Sequence, residues 1–175
     1  AINKTGGGYI KNVFIFNFYT GIICSGNTFI KDFYARQVHY GINCTNDTKM
    51  EGIGGFNVHT LIRITGSLCS VLHERVDSCV HALEIVNGNS HTITDVDGDW
   101  CTDSLIAIGD GTTSGTVSSV IFDGIHGRCN TLKAYDTTQQ TTPLDVRTLS
   151  SIDGYGIIRV YNNVNFSDSR IVVNN

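Results

Sequence analysis

Three aspartates alternate with other residues in the run Thr94-Asp95-Val96-Asp97-Gly98-Asp99-Trp100. If the run is a strand with Val96 turned inward, Asp95, Asp97 and Asp99 share its outer face, because strand side chains alternate with a period of two. About one repeat earlier Glu74 and Asp77 fall beside them, and one repeat later come Asp123 and His126. Acid/base cleavage of a glycosidic bond needs two carboxyl groups about 5 to 9.5 Å apart, one of them kept protonated. Rungs of a β-solenoid lie roughly 4.8 Å apart, so carboxylates one or two rungs apart meet that distance. On this reading Glu74, Asp95 and Asp97 are the candidate catalytic groups, and Asp77, Asp99, Trp100, Asp123 and His126 are candidate ligand contacts. The competing reading is that aspartate here only forms turns and keeps a surface soluble.

Metal chemistry fits poorly. As a calcium loop the run has Asp95, Asp97 and Asp99 as its first ligands, but Trp100 stands where glycine is wanted and Ile106 where glutamate is wanted. The dipeptides Val38-His39, Val58-His59 and Val80-His81 follow one another at steps of 20 and 22. In register, these histidines form a column whose ends are about 10 Å apart, too linear for a zinc ion that needs its ligands converging on one point. A stacked ladder is the expected arrangement, and no metal or cofactor is expected. The sequence has no Gly-x-Ser-x-Gly elbow and no phosphate loop. Tyr19, Tyr34, Tyr40, Trp100, Tyr135, Tyr155 and Tyr161 lie near expected strand ends or turns, with Tyr19 and Tyr34 in equivalent positions after Phe18 and Phe33. Exposed aromatic faces stack on the apolar side of sugar rings.

The elements that must position these groups are legible as a repeat. Apolar pairs two residues apart recur at Ile22/Cys24, Ile42/Cys44, Ile62/Ile64, Leu83/Ile85, Ile106/Ile108, Leu132/Ala134 and Ile158/Val160, and Ile2 sits a further 20 before Ile22. A period in the low twenties marks a solenoid, in which each repeat buries its apolar face against the next. Spacing by two within each pair is strand alternation. A second inward register runs through Ile15/Phe18, Ile30/Phe33, Met50/Ile53, Val76, Ile93/Val96, Phe122/Ile125 and Leu149/Ile152. The fold expected is an all-β, single-stranded parallel β-helix of about seven or eight coils, right-handed because its rungs are long and unequal. Insertions fall in turns such as Gly109 to Thr116 and Asp136 to Pro143, where Gly, Thr, Asp and Pro cluster.

With 175 residues, 41% of them hydrophobic, the chain is expected to form one domain with ample core. A net charge of −4 without a basic stripe argues against nucleic acid or an anionic membrane as partner. No transmembrane run is present, so no membrane insertion is expected. Of the six cysteines, Cys24 and Cys44 take one position in successive coils, and Cys79 and Cys101 each precede a new coil. Buried free thiols made in a reducing compartment are the main reading, and a stacked Cys24–Cys44 disulfide is the alternative.

The segments Gly21-Ile22-Ile23-Cys24, Gly41-Ile42-Asn43-Cys44 and Leu61-Ile62-Arg63-Ile64, with irregular turns and Thr/Asn/Asp-rich outer faces, resemble the β-helix of bacteriophage tailspikes. The resemblance is architectural, covers nearly the whole chain, and is shared with pectate-lyase-like bacterial enzymes. It implies a homotrimer on the phage tail, assembled in the host cytoplasm and carried on the virion. It also implies that the spike recognises, and in the enzymatic reading hydrolyses, a bacterial surface polysaccharide such as O-antigen or capsule. A β-helical fibre segment that binds glycan without cleaving it or serves only as a stalk, or a fragment of a pectate-lyase-like bacterial polysaccharide-degrading enzyme, is the alternative. A chain of this kind is expected to be a piece of a longer spike.

Overall fold

The computed structural model describes residues 1–129, 156–165 and 171–174, and among these it contains strands and turns with no helix. The strands are β1 (Ile2–Thr5), β2 (Gly8–Phe16), β3 (Thr20–Ser25), β4 (Thr28–Arg36), β5 (Tyr40–Cys44), β6 (Thr48–Ile64) and β7 (Ser70–Ile85). They continue with β8 (Gly88–Cys101), β9 (Ser104–Ile108), β10 (Gly115–Cys129), β11 (Gly156–Val160), β12 (Val164–Asn165) and β13 (Ile171–Asn174). All strand pairings are parallel, and the chain is a β-solenoid, as the repeat predicts.

Left-handed residues make the corners. Asn12, Asp32, Gly52, His73, Asp95 and Gly124 form one column with φ between 53° and 66°, one residue per coil. Asn17, Gln37, Asn57, Ser78 and Trp100 form a second, and Asp47, Leu68, Ser90 and Ser119 a third. Asn, Asp and Gly tolerate this conformation best, which explains their abundance. A left-handed residue turns the chain without ending the ladder, so β6, β7, β8 and β10 each run on past a corner.

Three faces result. The first carries Ile10, Ile30, Met50, Val71, Ile93 and Phe122 on its inner side; the second follows the Asn12-to-Gly124 corners. The third is the ladder Ile2, Ile22, Ile42, Ile62, Leu83, Ile106 and Ile158. Ile22, Ile42, Ile62, Leu83 and Ile106 are fully buried, each contributing about 1.5–3 kcal/mol of apolar burial. This stack, together with the inward residues of the other two faces, makes the core.

The structure corrects several expectations. From Ile2 to Ile106 the continuous described chain makes about five turns, and Ile158 adds a further rung. Ile106 pairs directly with Ile158; Leu132, Ala134, Tyr135, Leu149, Ile152, Tyr155 and the Asp136–Pro143 turn lie outside the described residues. In the second register the coil before Ile30/Phe33 is Ile10/Val13, not Ile15/Phe18, which leaves Phe18 exposed. A step of 15 is too short for a full coil. Hence Tyr34 is equivalent to Phe14, and Tyr19 lies beside His39 instead. Cys24 stacks on Cys44, and Cys24, Cys44, Cys69 and Cys101 are buried free thiols; Cys79 is buried beside Cys101.

Candidate functional site

Alternation on the second face sends Val13, Phe33, Ile53, Val96 and Ile125 inward and Phe14, Tyr34, Gly54, Arg75, Asp97 and His126 outward. The outward residues are register partners on successive rungs of β2, β4, β6, β7, β8 and β10, so they form one straight column along the solenoid. Its first end is aromatic: Phe14 and Tyr34 are exposed and stack with ring centroids 5.7 Å apart and planes within 8°. Gly54 makes room for this. A Cβ there would lie 2.8 Å from the Tyr34 ring, which leans over the bare backbone.

The other end is polar. The Arg75 side chain is 85% exposed and its Nε stands 3.9 Å from Asp97 Oδ2, a loose surface pair of small energetic value. A parallel column of Phe16, Arg36, Phe56, Asp77 and Asp99 flanks the first. Within it the Arg36 guanidinium sits 5.5 Å from the Phe56 ring centroid, a cation–π distance. The Ser78 hydroxyl donates to Asp77 at 3.1 Å. Trp100, at a left-handed corner, is 55% exposed beside Asp99.

The sequence-predicted residues therefore divide. Asp97 and His126 are register partners, as are Asp77 and Asp99, and Trp100 borders them. Asp95 is exposed at the corner, where its carboxylate pairs with the His73 imidazole. Asp123 is exposed but pairs with Thr94 before the corner, so it belongs to the first face.

Glu74 is a correction. It was expected on the outer face beside the aspartates; it aligns with Ile53 and Val96 and points inward, 1% exposed, with neither carboxyl oxygen hydrogen-bonded. The left-handed His73 resets the alternation, so the inward position falls on Glu74 as well as on Val76. Burial pushes its carboxyl up to about 8: the charged form has no partner to offset lost hydration.

The third face carries a second polar group that sequence reasoning took only as a ladder. Tyr19 stacks on His39 at 4.6 Å, and the His59 ring lies 4.2 Å from His39, tilted by 30°. His81 breaks the series. The coil step here is 21, not 22, so His81 is the register partner of Thr60, and its ring stands 6.3 Å from His59 at 80°. Burial, with the Arg63 charge, lowers His39 to about 4. Burial, opposed by Asp103, lowers His81 as well.

Beside these rings Arg63 donates to Glu84 through Nε and to Asp110 through Nη2, each at 2.8 Å, with its guanidinium 5.3 Å from the Tyr40 ring centroid. Burial raises Glu84 to about 7 against the pull of Arg63. Burial also disfavours ionised Asp110, but the N–H groups of Thr112 and Thr113 and the Thr113 hydroxyl overcome it and hold the carboxyl well below its usual range. Farther along, Asp103 accepts two 2.8 Å hydrogen bonds from Arg159 and one of 3.0 Å from Tyr161. His81 Nδ1 is 3.1 Å from the Ser104 hydroxyl and Nε2 is 3.5 Å from Asp103. The resemblance to a nucleophilic triad ends there, since Ser104 has no exposed surface.

Arg63 and Glu84 could have been found from the period, since they follow Ile62 and Leu83 in successive coils. Asp103 and Asp110 come from turns and have no rung position to predict. Hollows of about 550 Å³ (including Tyr9, Phe29 and Lys49) and about 300 Å³ (including Ser90, His91 and Ile121) flank the first face, and neither is lined by the Phe14-to-His126 column. Among the described residues no cluster of His, Cys, Asp and Glu is arranged to hold a metal ion. Compared with protein-family models, with curated proteins and with solved structures, the chain matches none of them.

Proposed function

We propose that this solenoid is a receptor-binding β-helix of the bacteriophage tailspike kind, holding a bacterial surface polysaccharide along its second face. The observation that carries the reading is the column Phe14–Tyr34–Gly54–Arg75–Asp97–His126. An aromatic platform followed by a cation, a carboxylate and an imidazole at rung spacing suits a glycan chain: rings stack on the apolar sugar faces, and polar groups meet the hydroxyls. The length of a sugar residue is close to one rung, roughly 4.8 Å, so a chain lying parallel to the axis meets a new side chain at each residue. Trp100, Asp77 and Asp99 supply the flank.

Recognition without cleavage is favoured on this face. Hydrolysis needs one carboxyl held protonated, and Glu74, which burial keeps neutral, points away from it. The test is titration of the folded protein with host oligosaccharides, together with its mass in solution. Binding by a trimer supports the proposal; a folded trimer that binds no host glycan overturns it.

A second reading, a depolymerase, is favoured by one observation on the third face. Glu84 is raised to about 7 while neighbouring Asp110 is held low, with Arg63 between them. Two carboxyls whose environments push them apart are the pattern of an acid/base pair. Host polysaccharide shortened by the protein, and left intact by Glu84→Gln, would support this reading; no shortening by the unaltered chain would remove it.

A further inference from the structure

Two groups of thiols lie in the interior, and neither belongs to the binding face. Cys24 and Cys44 are register partners, with Cys44 Sγ 3.9 Å from Cys69 Sγ. Cys79 on β7 and Cys101 on β8 are register partners too, each directly after a left-handed corner residue, Ser78 or Trp100. Their Sγ atoms are 3.0 Å apart and both residues are fully buried. That is closer than the ordinary non-bonded approach of heavy atoms, about 3.5 Å or more. Neighbouring rungs hold Cα atoms roughly 4.8 Å apart, inside the range of about 4.4–6.8 Å that a disulfide spans.

We propose that Cys79 and Cys101 are a modification site, a thiol pair that a peroxide-class oxidant converts into a disulfide stapling β7 to β8. One sulfur, as thiolate, attacks a peroxide oxygen. The O–O bond breaks, the departing hydroxide takes up the proton the thiol gave up and leaves as water, and a sulfenic acid remains. The second sulfur then attacks the sulfenic sulfur, the S–S bond forms, and the hydroxyl leaves as a second water. Two thiols lose two electrons and one hydrogen peroxide becomes two waters. The cross-link closes a loop of one coil, which in the chain-entropy account restricts the unfolded chain. Both sulfurs lie inside the solenoid, and Cys101 directly follows Trp100 of the binding flank.

The test is hydrogen peroxide treatment of the folded protein, followed by thiol titration and mass mapping of its peptides, with urea-unfolded protein as the control for oxidant strength. The expected result is a loss of two free thiols, a peptide pair joined through Cys79 and Cys101, and a higher unfolding temperature that Cys101→Ala and Cys79→Ala each fail to gain. The proposal is overturned if the folded protein keeps its thiols while the unfolded control loses them. It is equally overturned if the link joins Cys44 to Cys69, or Cys101 to Cys129, whose backbone pairs with it on β10.

Discussion

Glu74 on β7 stands in register with Val96 on β8, and both side chains point into the core. An acid occupies a position that on neighbouring rungs is Ile53 or Val96, with no hydrogen-bond partner for either carboxyl oxygen. The cost depends on pH. The folded carboxyl titrates near 8, above about 4.3 in the unfolded chain. Between those values the folded state keeps a proton that the unfolded state has released. Stability is therefore greatest below the unfolded value, falls as pH rises toward about 8, and is level beyond it.

Glu74→Leu should remove that slope and stabilise the protein at neutral pH by an amount on the order of a few kcal/mol. Urea unfolding of both proteins at pH 5, 7 and 9 measures this. Equal slopes would show that the carboxyl is not buried.

The histidine stack acts in the opposite direction. His39 titrates near 4 when folded and near 6.5 when unfolded, so the unfolded state binds the extra proton as pH falls through that window. Stability is lost there. His39→Phe keeps a ring against Tyr19 and should reduce the acid loss by roughly 1 kcal/mol or more, measured as the shift in unfolding midpoint between pH 7 and pH 4.5.

Gly54→Ala tests the platform without touching the core. The added Cβ meets the Tyr34 ring at 2.8 Å and must displace it from its stack on Phe14. Affinity for host oligosaccharide should fall roughly three- to tenfold, as for an aromatic contact worth about 0.5–1.5 kcal/mol. Tyr34→Ala should lose at least as much. Calorimetric titration provides the comparison, with unfolding midpoints to show that both variants remain folded.

Asp97→Asn separates contact from catalysis. As a ligand contact it should weaken binding about tenfold, the worth of a hydrogen bond to a charged group at about 1.4 kcal/mol. A catalytic Asp97 would instead lose polysaccharide shortening with binding nearly intact. Affinity and product length, measured on the same preparations, distinguish the two.

The ladder from Ile2 to Ile106 was legible because buried β-branched and leucine side chains recur at a nearly constant step. The placement of Asp97, His126, Asp77 and Asp99 followed from it. Glu74 did not. Which residue of a strand faces inward depends on the left-handed corner before it, and in β7 that corner is His73, a residue type that does not announce the conformation. His81 was misplaced for a related reason: an equal dipeptide suggested a step of 22 where the backbone takes 21. The Arg63–Glu84–Asp110 network combines two rung residues with one turn residue, and the turn component carries no period.

The most direct measurement is backbone amide mapping of the folded protein with and without a host oligosaccharide. The account predicts protection or shifts centred on Phe14, Tyr34, Arg75, Asp97 and His126. Changes confined to Tyr40, His59 and Glu84, or none in a folded trimer at saturating glycan, would contradict it.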